Sequence, residues 1–162
     1  MKITCTRLLA PLALALALAC GSDAPPTAAE LAPILKEADS ARLAGDWAQA
    51  GESYDALAEA VGADGDPILY GRATRGSIQA QAASDGPGAL ARALDLVAQL
   101  GGAEAAGVDL IGGLAADFKT AGAPTEALAL AQLALETFPD DPGIRNLAGR
   151  LGAAPAGLPD LE

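Results

Sequence analysis

VDLIGGLAADFKTAGAPTEALALAQLALETFPDD, residues 108–141, contains two stretches of helical apolar periodicity separated by a short turn signal. The turn signal is Gly122-Ala123-Pro124, and the second stretch stops at Pro139. Glycine after one helix and proline at the first position of the next are typical of helix ends. Because apolar residues recur at three- and four-residue spacing on both sides of the turn, the stretch predicts a helical hairpin.

Similar start and stop signals divide the rest of the chain after residue 27. Thr27-Ala28-Ala29-Glu30 has the form of a capping box, although Pro33 either kinks the first turns or makes the firm helix begin near Ala32. Aromatic residues make up only 3% of the chain, and strand-like alternation is nearly absent. The signals predict seven helices. The first ends at Gly45-Asp46, the second carries Trp47 to Val61 on one side, and the others lie over 67 to about 83, 87–100, about 103–121, 124–138 and 142–152.

These helices predict an all-α fold of about three hairpins plus a C-terminal capping helix. A single hairpin cannot bury its apolar face alone, whereas stacked hairpins share one core. Residues 142–152 follow the last hairpin and suit the capping role. Gly107, Gly112 and Gly113 fall inside one predicted helix, where each costs roughly 1 kcal/mol relative to alanine unless it allows close helix approach.

Residues 108–141 span 34 positions and resemble a tetratricopeptide repeat. The residues that match the repeat pattern are Leu114, Ala115, Phe118, Ala127, Ala134 and Pro139. Residues 31–64 resemble the repeat through Gly45-Asp46-Trp47, Ala50 and Tyr54. The middle hairpin, 67–102, matches only in its helix-turn-helix pattern, so its register stays open. The resemblance implies a solenoid, a fold that presents a concave groove.

In the tetratricopeptide family the first helix of each hairpin lines this groove, which holds an extended peptide or a partner helix. The resemblance implies that Trp47 and Tyr54 belong to the core. The groove positions carried over from the family are Leu35, Asp39, Arg42, Asp109, Ala116, Lys119 and Thr120.

One further cluster, Tyr70, Arg72 and Arg75, combines an aromatic residue with two cations in the middle hairpin. We expect a solvated helix face there rather than an anion or peptide site.

The first 19 residues have the layout of a secretory signal. Lys2 and Arg7 precede the uncharged residues 8–19, which in a helix rise only about 18 Å against a hydrocarbon core of roughly 30 Å. Residues 17–22, Ala-Leu-Ala-Cys-Gly-Ser, resemble the lipobox of bacterial lipoproteins, in which the cysteine is lipidated. An ordinary signal ending in Ala-x-Ala is the alternative, but it leaves Cys20 as a lone thiol.

The resemblance to lipoproteins implies cleavage before Cys20 and lipid attachment to that residue. Gly21 stands where an aspartate favours inner-membrane retention in Gram-negative lipoproteins, so we expect the periplasmic face of the outer membrane. The predicted organisation is a signal peptide over 1–19, a lipidated tether over 20–27, a helical domain over 28–152 and a tail over 153–162.

Charge and residue types narrow the function. Without residues 1–19 the chain has 8 basic and 21 acidic residues, a net charge of −13 that opposes nucleic acid and anionic lipid surfaces and suits solubility or a basic partner. The chain has no histidine, which excludes Ser-His and Cys-His nucleophile pairs and imidazole metal sites. Asp64-Gly65-Asp66 lacks the spacing of an EF-hand loop and instead predicts a turn followed by a helix cap. Asp140-Asp141 predicts the same. We therefore expect no metal and no cofactor.

Together these features predict a lipid-anchored scaffold and not an enzyme. We expect it to bind a protein or peptide partner of the cell envelope and to contact the membrane through its N-terminal lipid only. Two alternatives stay open: a structural subunit of an outer-membrane assembly or pilus-type machine, and, more remotely, a hydrolase that uses carboxylates alone.

Overall fold

The computed structural model describes residues 26–152, and within this range the chain forms eight α-helices and no strand. The helices are α1 (Ala28–Ala44), α2 (Trp47–Val61), α3 (Pro67–Ala82), α4 (Gly86–Gln99), α5 (Ala103–Ala106), α6 (Val108–Ala121), α7 (Pro124–Thr137) and α8 (Pro142–Leu151). The predicted signal peptide, Cys20 with most of its tether, and the tail over 153–162 lie outside the described residues.

Aspartate or threonine side chains cap the starts of most of these helices. Thr27 and Glu30 form the expected capping box, so α1 begins at Ala28 and contains Pro33 instead of starting at Ala32. Asp66 Oδ1 accepts hydrogen bonds from the backbone N–H groups of Ile68 at 2.9 Å and Leu69 at 3.1 Å. Aspartate side chains also cap three other helices: Asp46 caps α2, Asp85 caps α4 and Asp141 caps α8. The prediction that Asp66 and Asp141 cap helices is therefore confirmed.

The predicted continuous helix over 103–121 is wrong, because Gly107 divides it into α5 and α6. Gly107 has φ of 83° and ψ of 158°, a conformation that interrupts the helix and that glycine adopts without the steric cost of a Cβ atom. Its N–H donates to the Ala103 carbonyl, and its own carbonyl accepts from Ile111 N–H. Gly107 thus ends one helix and begins the next. The other six predicted helices match the observed bounds within one residue.

Consecutive helices pack into an array of hairpins, which confirms the predicted fold class. The hairpins are α1–α2, α3–α4 and α6–α7, and α8 packs against α7 and α6 at the C-terminal end. The helix α3 joins the first hairpin to the last, because it packs against α2 and also contacts α6. The helices α1 and α3 both pack mainly on α2, and an ion pair between Asp39 and Arg72 connects them directly.

The core differs between the two ends of the array. The N-terminal end has two small buried clusters, one of alanines around Tyr54 and one around Leu57. The C-terminal end has a larger cluster centred on Phe118, Leu114 and Leu130, extended by a second cluster around Ile111. In residues 26–152 no helix combines the length and apolarity that a membrane span requires.

Candidate functional site: the first-helix face

One of the predicted groove residues of α1, Asp39, has its carboxylate held by two partners from other helices. Asp39 accepts a hydrogen bond from the Tyr54 hydroxyl at 2.6 Å and an ion-pairing hydrogen bond from Arg72 Nη2 at 2.5 Å. Asp39, Arg42 and Leu35 are all half-buried. The carboxylate therefore links the core, through Tyr54, to an arginine of the neighbouring hairpin.

Tyr54 reaches this carboxylate from the core side. Its ring is only 2% exposed and packs with the alanine cluster of α1, α2 and α3, so the prediction that Tyr54 is core is confirmed. Burial raises the pKa of the Tyr54 phenol, and its hydrogen bond to Asp39 raises that pKa further, while the nearby Arg42 opposes the shift. The phenol therefore remains neutral and donates to Asp39 near neutral pH. Trp47 is only partly buried and packs at the edge of the same cluster.

Two arginines of α3 continue the polar surface toward α6. Arg72 pairs with Asp39 on α1, and Arg75 pairs through Nε with Asp117 on α6. The side chains of Arg72 and Arg75 are 54% and 39% exposed, so both keep contact with solvent. Both arginines thus lie on a solvated helix face, as expected, and in addition each pairs with a carboxylate of a neighbouring helix. Tyr70 packs partly against the Leu57 cluster, and the two arginines bridge helices.

Gly113 makes room for the second bridge. A Cβ atom at this position would lie 2.8 Å from Cζ, Nη1 and Nη2 of Arg75, so the guanidinium rests directly on the α6 backbone. The same helix packs closely against α8 at Gly112, where a Cβ would lie 2.9 Å from Ile144 Cδ1. Both glycines thus allow close approach to α6, one of the two outcomes that the sequence left open, and the close neighbour of Gly113 is the Arg75 guanidinium.

The predicted groove residues of α6 lie apart from those of α1. Asp109, Ala116, Lys119 and Thr120 are all exposed, and the Thr120 hydroxyl donates to the Ala116 carbonyl at 2.9 Å. The helix α3 lies between these two sets of residues and forms ion pairs with both α1 and α6. We define the first-helix face as the exposed surface of α1, α3 and α6 that contains these groove positions together with Arg72, Arg75 and Asp117.

A second polar cluster joins α2, α3 and α4 around Asp55. The buried Ser77 hydroxyl donates to Asp55 Oδ1 at 2.5 Å, and Arg92 Nη2 lies 3.5 Å from the same carboxylate oxygen. Arg92 Nη1 also donates to Gln81 Oε1 at 2.9 Å. The sequence did not predict this cluster, because the spacing of Asp55 and Ser77 gives no sign that they are in contact. Only the packing of α3 against α2 brings the two side chains together.

Metal binding has no obvious place on these surfaces. In residues 26–152 no three carboxylate or cysteine side chains converge in a way that would hold an ion. The carboxylates of Asp39 and Asp117 each accept from an arginine instead. The first-helix face thus presents hydrogen bonds and ion pairs between helices.

No family model, curated protein or solved structure matches this chain.

Proposed function

We propose that this protein is a lipid-anchored scaffold of tetratricopeptide type, held at the periplasmic face of the outer membrane, which binds a protein partner of the cell envelope on its first-helix face. The observation that supports the proposal is the chain of side chains from Asp39 through Arg72 and Arg75 to Asp117. It joins the first helices of all three hairpins into one polar surface that remains partly open to solvent.

The physical basis of the proposal is the conformational entropy that the arginine side chains lose before a partner binds. The arginines are bridged to carboxylates on neighbouring helices, so part of their side-chain entropy is already lost before a partner arrives. Preorganised side chains lose less entropy on binding, which favours affinity and specificity. An array of hairpins presents such a surface over a length suited to an extended peptide or a partner helix.

A pull-down from solubilised membranes tests the partner and its place of binding. The mature chain is expected to recover a stoichiometric protein partner, and simultaneous substitution of Asp39, Arg42 and Lys119 by alanine is expected to abolish that recovery. A matched control replaces Glu136, Arg145 and Arg150 by alanine, which changes the net charge by the same amount. These three residues are exposed on α7 and α8. Circular dichroism checks that each variant is folded.

Two results would contradict the proposal. Unchanged recovery with the first triple variant would exclude the first-helix face as the binding surface. Absence of any stoichiometric partner with the unaltered chain would exclude the scaffold function itself. Because Asp39 also contacts Tyr54, the single substitution Lys119→Glu provides a further variant, at an exposed residue whose side chain makes no hydrogen bond within residues 26–152.

The proposed anchor has a separate test at Cys20. Metabolic labelling with a fatty-acid analogue is expected to mark the unaltered protein and to leave Cys20→Ser unlabelled. The fractionation of the labelled chain with outer membranes tests the proposed location. Equal labelling of both chains would rule out lipid on this cysteine, while leaving the scaffold proposal to be decided by the pull-down.

A further inference from the structure

The charges of the described chain are distributed unevenly between the first helices and the rest. Residues 26–152 contain 8 basic and 18 acidic side chains, a net charge of −10. The first helices α1, α3 and α6 hold five of each and are neutral together, so the whole net negative charge lies elsewhere. The five basic residues on the first helices are Lys36, Arg42, Arg72, Arg75 and Lys119.

Positive charge is concentrated at the centre of this surface. The helix α3 lies between α1 and α6 and carries Arg72 and Arg75 with no acidic residue of its own. Arg42 lies beside the Tyr54 hydroxyl and, within residues 26–152, has no carboxylate at ion-pair distance. Three arginines thus meet two carboxylates, Asp39 and Asp117, on an otherwise acidic molecule.

Each of the two bridging arginines makes one side-chain hydrogen bond within residues 26–152, and their side chains are 54% and 39% exposed. Arg72 donates to Asp39 through Nη2, and Arg75 donates to Asp117 through Nε. A guanidinium has five N–H donors in a planar fork that matches the two oxygens of a carboxylate. Arg72 and Arg75 are also three residues apart on one helix, which places their side chains on neighbouring turns of the same side.

We propose that Arg42, Arg72 and Arg75, which we call the arginine face, bind carboxylate side chains of an acidic, extended segment of the partner protein. This inference rests on the proposed scaffold function and specifies the chemistry of its partner. Charge complementarity favours an acidic segment, because a basic one would be repelled by α3 and attracted to the acidic surfaces elsewhere. Repulsion by those surfaces also directs an acidic segment to the first helices.

Peptide binding to the purified full-length protein tests the inference. The probe is a fluorescent, N-acetylated and C-amidated octapeptide of alternating Glu and Ala, and matched peptides contain Gln or Lys in place of Glu. Fluorescence anisotropy at low salt is expected to show binding of the Glu peptide at least about tenfold tighter than either matched peptide, equivalent to about 1.4 kcal/mol. Added salt is expected to weaken that binding. Equal binding of the Glu and Gln peptides, or tighter binding of the Lys peptide, would overturn the inference.

Variants separate recognition from a purely structural role of the arginines. Simultaneous Arg72→Gln and Arg75→Gln is expected to weaken binding of the Glu peptide at least about tenfold, whereas Arg145→Gln, at an exposed ion pair on α8, is expected to leave it unchanged. Simultaneous Arg72→Lys and Arg75→Lys keeps the charge without the planar fork and is expected to give an intermediate loss. If the glutamine variant unfolds more easily but binds the Glu peptide unchanged in its folded state, the arginines only fasten helices and the inference is wrong.

The membrane pull-down distinguishes failure of this inference from failure of the scaffold function. Recovery of a partner that the glutamine variant retains would overturn the arginine face and leave the scaffold intact. Recovery of a partner by the unaltered chain only, together with selective binding of the Glu peptide, would support both.

Discussion

Tyr54 near the N-terminal end of the array and Phe118 near the C-terminal end are both buried aromatic rings, but their surroundings differ. Tyr54 is 2% exposed, packs among alanines and donates to Asp39 on the first-helix face. Phe118 is 0% exposed and packs in the larger apolar cluster with Leu114 and Leu130. One ring joins core to surface, whereas the other contributes apolar packing alone.

This difference indicates how the two ends divide their roles. At the C-terminal end, stability comes chiefly from apolar area removed from water, which tolerates little loss of volume. At the N-terminal end, small side chains bring the helices close together and a polar contact fixes their relative position. We expect the C-terminal end to provide most of the stability and the N-terminal end to position the proposed binding surface.

Phe118→Ala is the substitution expected to have the largest effect on stability. Removing a fully buried ring leaves a cavity and should lower the free energy of unfolding by about 3–5 kcal/mol. Urea denaturation measures the change, and Leu100→Ala, at an exposed leucine, should change it by less than about 0.5 kcal/mol. A loss below about 1 kcal/mol for Phe118→Ala would show that the C-terminal cluster is not the main source of stability.

Gly76→Ala should break the close packing around Tyr54. A Cβ atom at Gly76 would lie 2.7 Å from the Tyr54 ring, and such overpacking costs about 1–3 kcal/mol. Gly71→Ala on the same helix is a matched control, because a Cβ there meets nothing within 4 Å and alanine should stabilise the helix by up to about 1 kcal/mol. Thermal or urea unfolding measures the free energy of unfolding of both variants. Equal changes in the two variants would contradict this prediction.

Tyr54→Phe tests the polar contact that distinguishes the two rings. Loss of the hydrogen bond to Asp39 should lower the free energy of unfolding by about 1 kcal/mol at neutral pH. The raised pKa of Tyr54 also stabilises the fold fully below the unfolded pKa of about 10, and this contribution is lost as pH rises through the folded pKa. Urea titrations at several alkaline pH values should therefore show a steeper loss in the unaltered protein than in Tyr54→Phe. Parallel losses would mean that the hydroxyl adds nothing to the N-terminal cluster.

Glu30→Gln should have the smallest effect and concerns only the start of the N-terminal hairpin. Hydrogen bonds from the Thr27 backbone N–H and hydroxyl lower the pKa of the exposed Glu30 carboxyl. A lowered folded pKa stabilises the fold above the unfolded pKa of about 4.3 and ceases to do so as pH falls through the folded value. Melting temperatures between pH 6 and 3 should fall slightly less in Glu30→Gln than in the unaltered chain. A larger fall in Glu30→Gln would contradict the capping geometry.

Local signals in the sequence predicted most of the helices and their ends. Asp66 and Asp141 cap helices, and Gly122 ends one, because each acts on backbone groups within a few residues. Gly107 was misjudged, since a glycine inside an apolar stretch is compatible with a weakened helix or with a break. Its backbone conformation, which the residue type permits but does not impose, decided the outcome.

The polar surface was less predictable, because its partners are far apart in sequence. Arg72 and Asp39 are separated by 33 residues, and Arg75 and Asp117 by 42. Their pairing depends on how α3 stacks between the outer hairpins, and the register of that hairpin was open. No groove residue could be assigned to the first helix of that hairpin without its register, and Arg72 and Arg75 lie on this helix, α3.

Site-specific photo-crosslinking in intact cells tests the central claim, that a partner binds the first-helix face. A photoreactive amino acid at Ala116, exposed on α6, is compared with the same amino acid at Glu136, exposed on the second helix α7. We predict one crosslinked protein from position 116 and none from position 136. Crosslinking from position 136 alone, or from neither position, would contradict the account.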